Sequence, residues 1–294
     1  MILITGAAGN LGTAVLQHFL RTVPASQLAA LVRTEQKGAA LAAQGVTVRL
    51  GDYNDPASLD QAMRGVEKVL LISALSLDRL SGHQHVIDAA KRAGVQHLAY
   101  TGVTMQNWAS SPLATRMASH YQTEDYLRAS GLTYTLLRNG LYAEVLPFYL
   151  GTQAVATGVT FPAGQGRVPY LLRDEMAEIA ANVLTGDGHA NQTYHLTGTE
   201  ALSFADVAQL LTELSGQPVA YHDVAPAAFT AQQQQAGVPD MLIQLRSDFA
   251  AAIKRGDFDR VYADAARLLG RPPTPVREYL QHAYLPGAPA PDAH

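Results

Sequence analysis

The chain begins with a short apolar run that leads into regularly spaced glycines and then into a helical pattern. Residues 1–4 are apolar, and Gly6, Gly9 and Gly12 follow at three-residue spacing. Apolar residues then recur at helical spacing as far as Leu20. This order predicts a β-strand, a tight turn and a helix that starts directly after the turn.

Apolar strands and helical segments continue to alternate through the first half of the chain. Strands are predicted at residues 28–32, 46–50, 68–72, 97–101 and 133–137. Helices are predicted between them at residues 35–44, from residue 56, at 82–93 and at 113–129. Strands and helices joined in this order by short connections are typical of a parallel sheet covered on both faces. The pattern therefore predicts an α/β fold with a Rossmann-type doubly wound parallel sheet.

The alternation becomes less regular beyond about residue 141. Short strands are predicted there at residues 168–172, 193–196 and 218–222. Helices are predicted near residues 174–184, 203–214, 240–254 and 275–283. We interpret this part as a smaller α/β C-terminal substrate domain.

The predicted domain boundaries follow this change of pattern. Residues 1–140 form the dinucleotide-binding Rossmann domain, to which segments near residues 174–198 return. Residues 141–173 and 199–284 form the smaller substrate or lid domain. The proline-rich residues 285–294 are expected to be a disordered tail.

Composition narrows the class of protein. The 294 residues are 48% hydrophobic and 16% charged, which is enough apolar material for a large core. No apolar run reaches the roughly 18–20 residues of a membrane span, and no secretory leader precedes the first strand. The chain has no cysteine, which excludes disulfides, thiolate metal sites and a cysteine nucleophile. No metal site is predicted. We expect a soluble cytoplasmic protein, a monomer or homodimer.

The net charge argues against a nucleic-acid partner. The formal charge is −4, so there is no excess of basic residues to attract a phosphate backbone. A small molecule is the more natural ligand for such a chain.

The glycine turn has the features of a nucleotide-binding turn. Gly6 lets the chain reverse, Gly9 lets the backbone approach a pyrophosphate, and Gly12 lets the helix pack closely on the strand. The free N–H groups around Asn10 and Leu11, together with the helix dipole, then face the phosphates. The alternative is a purely structural connection between strand and helix.

The second strand ends in a cation where an enzyme that prefers NAD would carry a carboxylate. That position is Arg33, and Lys37 follows soon after. A guanidinium can pair with the 2′-phosphate of NADP(H), whereas a carboxylate would repel it. We therefore expect NADP(H) as cofactor, with NADPH preferred over NADH. The alternative for Arg33 is an ordinary surface arginine.

Three further side chains are candidate cofactor contacts because each follows a predicted parallel strand. Asp52 lies after the third strand, where its carboxylate could accept from the adenine amine, or could simply cap a turn. Ser73 and Thr101 follow the fourth and fifth strands, where the ribose and nicotinamide would lie. Each is equally well an ordinary loop hydroxyl.

Several stretches resemble a known family. They are Ile4–Gly12, Val23–Gln27, Leu31–Arg33, Gly51–Asn54, Ala99–Gly102, Tyr134–Asn139, His189–Tyr194 and Leu196–Gly198. Together they resemble the NmrA-like branch of the short-chain dehydrogenase/reductase superfamily, an atypical branch that includes NAD(P)H:quinone oxidoreductase type 2 and triphenylmethane reductase. The resemblance implies an NADPH-dependent reductase whose small C-terminal domain closes over the nicotinamide.

The chain departs from ordinary members of that superfamily at the catalytic helix. Ordinary members use Tyr-x-x-x-Lys there, in which the tyrosine exchanges the alcohol proton and the lysine lowers its pKa. The corresponding positions here are Arg116 and His120. The sequence therefore argues against carbonyl–alcohol chemistry by that route.

A quinone needs less help, because hydride transfer to it produces a delocalised phenolate that water can protonate. A hydrogen-bond donor near that oxygen and a dry apolar slot are sufficient. The resemblance implies a histidine at the His120 position, which we interpret as a ribose or substrate donor that could be charged near neutral pH. The alternative is a surface histidine.

Two more residues are candidate substrate donors, and four are candidate slot walls. Asn139 and Tyr142 follow the sixth strand at the same end of the sheet, although Asn139 could simply form a turn and Tyr142 could simply fill the domain junction. The candidate walls, which could equally be core residues, are Met105, Trp108, Phe148 and Tyr149.

The leading hypothesis is an NADPH-dependent reductase of quinones or similar delocalised aromatic acceptors, such as cationic dyes. The alternative is an NmrA-like redox sensor that binds NADP(H) and regulates a partner without turnover. An epimerase or dehydratase is disfavoured, because that chemistry usually needs the missing tyrosine.

Overall fold

A computed structural model describes residues 1–73 and 78–285 of the chain. The predicted tail, apart from Leu285, lies outside the described residues. The strands are β1 Ile2–Ile4, β2 Leu28–Val32, β3 Thr47–Leu50, β4 Lys68–Ile72, β5 His97–Val103, β6 Tyr134–Asn139, β7 Val159–Thr160, β8 Arg167–Val168, β9 Gln192–Leu196, β10 Leu202–Ser203 and β11 Tyr221–His222.

Helices connect and cover these strands. They are α1 Asn10–Leu20, α2 Glu35–Ala42, α3 Pro56–Ala62, α4 Arg79–Arg92, α5 Ala114–Ala129, α6 Leu146–Leu150, α7 Ala154–Thr157, α8 Arg173–Thr185, α9 Phe204–Ser215, α10 Pro226–Gln235, α11 Asp240–Lys254, α12 Asp264–Leu269 and α13 Val276–Tyr284. Within the described ranges, every helix is too short or too polar to cross a lipid bilayer.

Seven strands form one parallel sheet in the order β3-β2-β1-β4-β5-β6-β9. The strand order reverses between β1 and β4, which is where such sheets bind their ligands. The predicted doubly wound sheet is therefore confirmed. The segment that returns to the sheet after residue 141 supplies its last strand, β9.

Both faces of the sheet are buried, as an apolar parallel strand requires. Side chains alternate along β1, so that Ile4 packs with α1 and α8 on one face while Leu3 packs with α3 and α4 on the other. The helices do not cover the polar end of the sheet, where the carboxyl ends of the strands lie.

A second hydrophobic cluster, here called the small cluster, is built mainly from chain beyond residue 141. Its centre is aromatic, with the ring centroids of Phe161 and Phe204 4.6 Å apart and Phe229 edge-on to Phe161 at 5.7 Å. Helix α9 packs against this cluster. The helix begins at a complete capping box formed by Ser203 and Asp206. The division into two domains remains a prediction.

Some predicted elements have other bounds in the structure. The strand predicted at residues 168–172 is only β8, because Pro169 has no N–H to continue the ladder. The strand predicted at 218–222 is reduced to β11. The helix predicted from Gly82 begins at Arg79, and α12, which the pattern did not predict, packs against α8 and β9.

Candidate active site

A cleft of about 1160 Å³ opens at the carboxyl ends of the central strands and extends to the small cluster. All the predicted cofactor-binding and catalytic residues line it: Gly6, Gly9, Asn10, Leu11, Gly12, Arg33, Asp52, Ser73, Thr101, His120, Asn139 and Tyr142. Pockets that hold drug-sized ligands have volumes of roughly 300–1,000 Å³, so this cleft can hold a dinucleotide together with part of an acceptor.

The glycine turn has the geometry that its spacing predicts. Gly6 has a φ of +60°, a left-handed conformation that favours glycine. A Cβ on Gly12 would lie 2.3 Å from the carbonyl oxygen of Gly6, so only glycine lets α1 start this close to β1. The first turn of α1 therefore presents its backbone N–H groups to the cleft, where an anion can accept from them.

Two cations lie at the end of the cleft beside β2. Arg33 and Lys37 are both exposed and both line the cleft. The ion pairs formed within the described ranges include neither side chain, so both charges can bind an anion. A phosphate at this end would meet two positive charges and a planar guanidinium.

Asp52 has a structural role in the turn after β3. Its carboxylate Oδ1 accepts from the backbone N–H of Asn54 at 2.9 Å, and its own N–H donates to Ser58 Oγ at 3.1 Å. Asp52 also lines the cleft, so its remaining oxygen lone pairs face the space where adenine contact is predicted.

The ends of β4 and β5 are joined through a buried hydroxyl. Thr101 Oγ1 accepts from the backbone N–H of Ser73 at 3.0 Å. This bond fixes the mouth of the cleft between the two strands. The predicted contacts of Ser73 and Thr101 with ribose or nicotinamide remain predictions.

His120 is buried and neutral, which corrects the expectation that it is charged near neutral pH. Burial, followed by the positive charge of Arg79 and the proximity of His83, lowers the pKa of His120 to about 3. The ring lies on α5 with Nδ1 2.9 Å from the hydroxyl of Tyr100. A neutral imidazole can still donate one N–H, so His120 keeps its capacity as a hydrogen-bond donor.

Asn139 and Tyr142 act as a pair. The Asn139 side-chain amide donates to the Tyr142 hydroxyl oxygen at 3.1 Å. Burial raises the pKa of Tyr142, so the phenol stays protonated. Because its oxygen already accepts from Asn139, the Tyr142 proton is free to be donated into the cleft.

The end of the cleft next to the small cluster is apolar and aromatic. The predicted walls Phe148 and Tyr149 line it, whereas Met105 and Trp108 do not. Trp108 instead stacks on Tyr121, with ring centroids 4.5 Å apart. The additional apolar lining residues are Met117, Leu141, Val145, Leu245 and Phe249.

Sequence reasoning missed two arginines that line the cleft. Arg79 donates to Ser119 Oγ at 3.0 Å, and the guanidinium of Arg173 lies 5.2 Å from the centre of the Tyr142 ring. Both lie at the starts of helices far from the glycine turn in sequence, so no local spacing points to them. Among the described residues, no group of three or more His, Cys, Asp or Glu side chains could hold a metal ion.

Comparison with known proteins identifies close relatives over nearly the whole length. The model of the NmrA-like family matches residues 1–280. Quinone oxidoreductase 2 of Escherichia coli (strain K12) is 40% identical over 288 residues, 97% of this chain and 99% of that protein. The NAD(P)H azoreductase of Xenophilus azovorans is 30% identical over 292 residues, 98% of this chain and 100% of that protein.

Solved structures agree with the sequence comparison. The crystal structure of Citrobacter sp. triphenylmethane reductase complexed with NADP(H) has a TM-score of 0.89 at 38% identity, covering 96% of this chain and 100% of that chain. The structure of an NADPH-dependent quinone oxidoreductase from Escherichia coli, complexed with NADPH, has a TM-score of 0.89 at 39% identity, covering 96% and 99%.

Proposed function

The chain belongs to the NmrA-like family, and from that premise we propose that it is an NADPH-dependent reductase of quinones or similarly delocalised aromatic acceptors. The observation that carries the proposal is one continuous cleft. It joins a glycine turn and two exposed cations at one end to an aromatic slot with hydroxyl and imidazole donors at the other.

The residues at the glycine end fit a phosphorylated dinucleotide. The close approach that Gly12 permits, and the free N–H groups of the first turn of α1, suit a pyrophosphate. Arg33 and Lys37 suit a 2′-phosphate, which makes NADPH the favoured cofactor over NADH. When bound, NADPH supplies the hydride from C4 of its nicotinamide.

The residues at the other end orient the acceptor and stabilise its developing negative charge. Phe148, Tyr149 and Phe249 form apolar walls that favour a flat ring and exclude water. Tyr142 and His120 are neutral donors for the oxygen that becomes a phenolate, and Asn139 orients Tyr142. No tyrosine–lysine pair is needed, because the phenolate takes its proton from water.

The test is NADPH oxidation followed by absorbance with a panel of quinones, a triphenylmethane dye, an azo dye and no acceptor. We expect oxidation that depends on the acceptor. Tight binding of NADPH without turnover of any acceptor would contradict the proposal and would favour an NADP(H)-binding redox sensor.

The role of His120 has its own test. We expect His120→Ala to lower kcat about a hundredfold, the lower end of the range for loss of one donor to a developing oxyanion. Circular dichroism and the NADPH dissociation constant serve as controls and should be unchanged. An unchanged kcat would indicate that His120 has a purely structural role.

A further inference from the structure

Tyr100 is a buried tyrosine with no assigned part in the proposed reaction. It lies in β5, is fully buried, and its hydroxyl oxygen is 2.9 Å from Nδ1 of His120. The two rings belong to different elements, so this hydrogen bond joins the sheet to α5 directly beside the cleft. A tyrosine hydroxyl in this position can decide which ring nitrogen of His120 carries the proton.

The direction of the hydrogen bond follows from the chemistry of the two groups. A neutral imidazole has one N–H and one strong acceptor nitrogen. A phenol is a strong donor and a weak acceptor, because its oxygen lone pair is delocalised into the ring. The stronger arrangement is therefore donation from the Tyr100 O–H to Nδ1 of His120.

Thr123 is the other side chain that forms a hydrogen bond with the Tyr100 hydroxyl. Thr123 uses its single hydroxyl proton to donate to the Ser119 carbonyl at 2.7 Å. His83 Nδ1, 3.0 Å from Thr123 Oγ1, must then donate to that oxygen. Thr123 Oγ1 keeps a second lone pair within reach of the Tyr100 hydroxyl. An imidazole nitrogen is a stronger acceptor than an aliphatic hydroxyl oxygen, so Nδ1 of His120 is the preferred acceptor.

The ring of Tyr100 is itself held in place. The His83 ring meets it edge-on, with centroids 5.3 Å apart, and Tyr53 meets His83 edge-on at 6.1 Å. Tyr53 is fixed in turn by its hydroxyl, which donates to the Ile72 carbonyl at 2.9 Å. The hydroxyl of Tyr100 therefore reaches His120 from a rigid position.

We propose that Tyr100 is a positioning residue for the reduction: its hydroxyl holds His120 in the tautomer with the proton on Nε2. His120 then presents a hydrogen-bond donor to the cleft and no hydrogen-bond acceptor. This inference rests on the proposed function and extends it to substrate selectivity. A substrate that places a carbonyl oxygen or an azo nitrogen at His120 is favoured over one that places an O–H or N–H group there.

The first test reads the tautomer directly. Long-range ¹H–¹⁵N correlation spectra of the imidazoles give the protonated nitrogen of each of the ten histidines. The signal of His120 is identified by its loss in His120→Ala. We expect protonation at Nε2 in the wild-type protein. Protonation at Nδ1 in the wild-type protein would overturn the proposal, whatever the effect of Tyr100→Phe.

The second test uses Tyr100→Phe, which keeps the ring that packs on His83 and removes only the hydroxyl. We expect a mixture of His120 tautomers and a fall in kcat of roughly threefold to tenfold, about the value of one hydrogen bond. The matched control is Tyr126→Phe in α5, the helix that carries His120. This variant removes a hydroxyl that donates to Asp88 away from the cleft. It should change neither readout.

A double-mutant cycle separates positioning from a general structural effect. If Tyr100 acts through His120, then Tyr100→Phe has no further effect on kcat in the His120→Ala background. Additive effects would overturn the proposal. Wild-type protein that reduces no acceptor would refute the proposed function itself, whereas an active wild type with an Nδ1–H tautomer would refute only the inference about Tyr100.

Discussion

The proposed preference of the cleft for NADPH depends on single residues, and Arg33 is the first of them to test. It is an exposed cation at the end of β2 with no ion-pair partner within the described ranges. We expect Arg33→Ala to raise the dissociation constant of NADPH about tenfold to a hundredfold, the value of a charge-assisted contact, while that of NADH changes little.

Titration of both cofactors by fluorescence measures this difference. The matched control is Arg64→Ala, which removes an exposed arginine outside the cleft and should affect neither cofactor. Equal loss of NADPH and NADH affinity in Arg33→Ala would contradict recognition of the 2′-phosphate.

Two buried histidines make the stability of the fold depend on pH. Burial, with the nearby charge of Arg79, lowers the pKa of His83 and His120 to about 3. In the unfolded chain both titrate near 6.5, so below that pH the unfolded state binds protons that the folded state does not. The free energy of unfolding should therefore fall as the pH drops from 7 to 5, by up to about 2 kcal/mol for each histidine.

Denaturant unfolding at several pH values tests this dependence. His83→Asn should make the dependence shallower even if it lowers stability at pH 7, because it removes one proton-linked group. The exposed His222→Asn is the control and should leave the slope unchanged. A slope in His83→Asn equal to that of the wild type would contradict the linkage.

The sequence could not reveal the protonation state of His120. The type and position of the residue were visible, and its location at the cleft follows from the helix pattern. Its neutral state comes first from burial and then from the positive charge of Arg79 and the proximity of His83, both of which α4 brings to it. Because tertiary contacts build this environment, the sequence around His120 carries no signal of its protonation state.

At the scale of elements, the contact between β1 and α1 is set by two glycines with different tasks. A Cβ on Gly12 would meet the Gly6 oxygen at 2.3 Å and the Ala7 Cα at 2.7 Å, whereas a Cβ on Gly9 would meet only the Gly6 oxygen, at 3.2 Å. Gly12→Ala should therefore lower the free energy of unfolding by about 1–3 kcal/mol and weaken NADPH binding.

Gly9→Ala is the comparison variant. It should cost less stability but still weaken NADPH binding, because its methyl group lies between the backbone and the pyrophosphate. Chemical denaturation and NADPH titration of both variants separate the two effects. Wild-type stability of Gly12→Ala would contradict the close packing described for this turn.

Elements with a strong local pattern were predicted well, and short ones were not. The six strands of the first half and α5 have apolar spacing or turn residues within their own length. By contrast, β8 ends at a proline inside an apolar run, and α12 is too short for a helical period to be recognised. Their limits are set by neighbouring elements.

At the scale of the whole molecule, one arginine ties the small cluster to the large sheet. Arg271 donates to Glu175 Oε1 at 2.7 Å and to Glu178 Oε2 at 2.8 Å, both on α8, just before α13 enters the small cluster. Because Glu175 is only 3% exposed, removal of Arg271 leaves a buried carboxylate without its cation, held only by the backbone N–H and hydroxyl of Thr274, which donate to Oε1. Arg271→Ala should lower the free energy of unfolding by roughly 2 kcal/mol.

The matched control for this ion pair lies on the surface. Arg277 pairs with Glu213 at 2.6 Å, and about half of each side chain is exposed to solvent. Arg277→Ala should change stability little. The two variants should be compared by urea unfolding, and equal effects would contradict the role given to Arg271.

The late return of β9 to the sheet has a consequence for synthesis on the ribosome. Strand β6 ends at Asn139, and its neighbour β9 begins only at Gln192. At about 5–20 residues per second, the edge of the nascent sheet waits roughly 3–10 s for its last strand. Helix α1, which ends at Leu20, waits longer, roughly 8–30 s, for α8, which begins at Arg173. The amino-terminal half therefore emerges with an open apolar edge, and translation must reach about residue 196 before that edge can close.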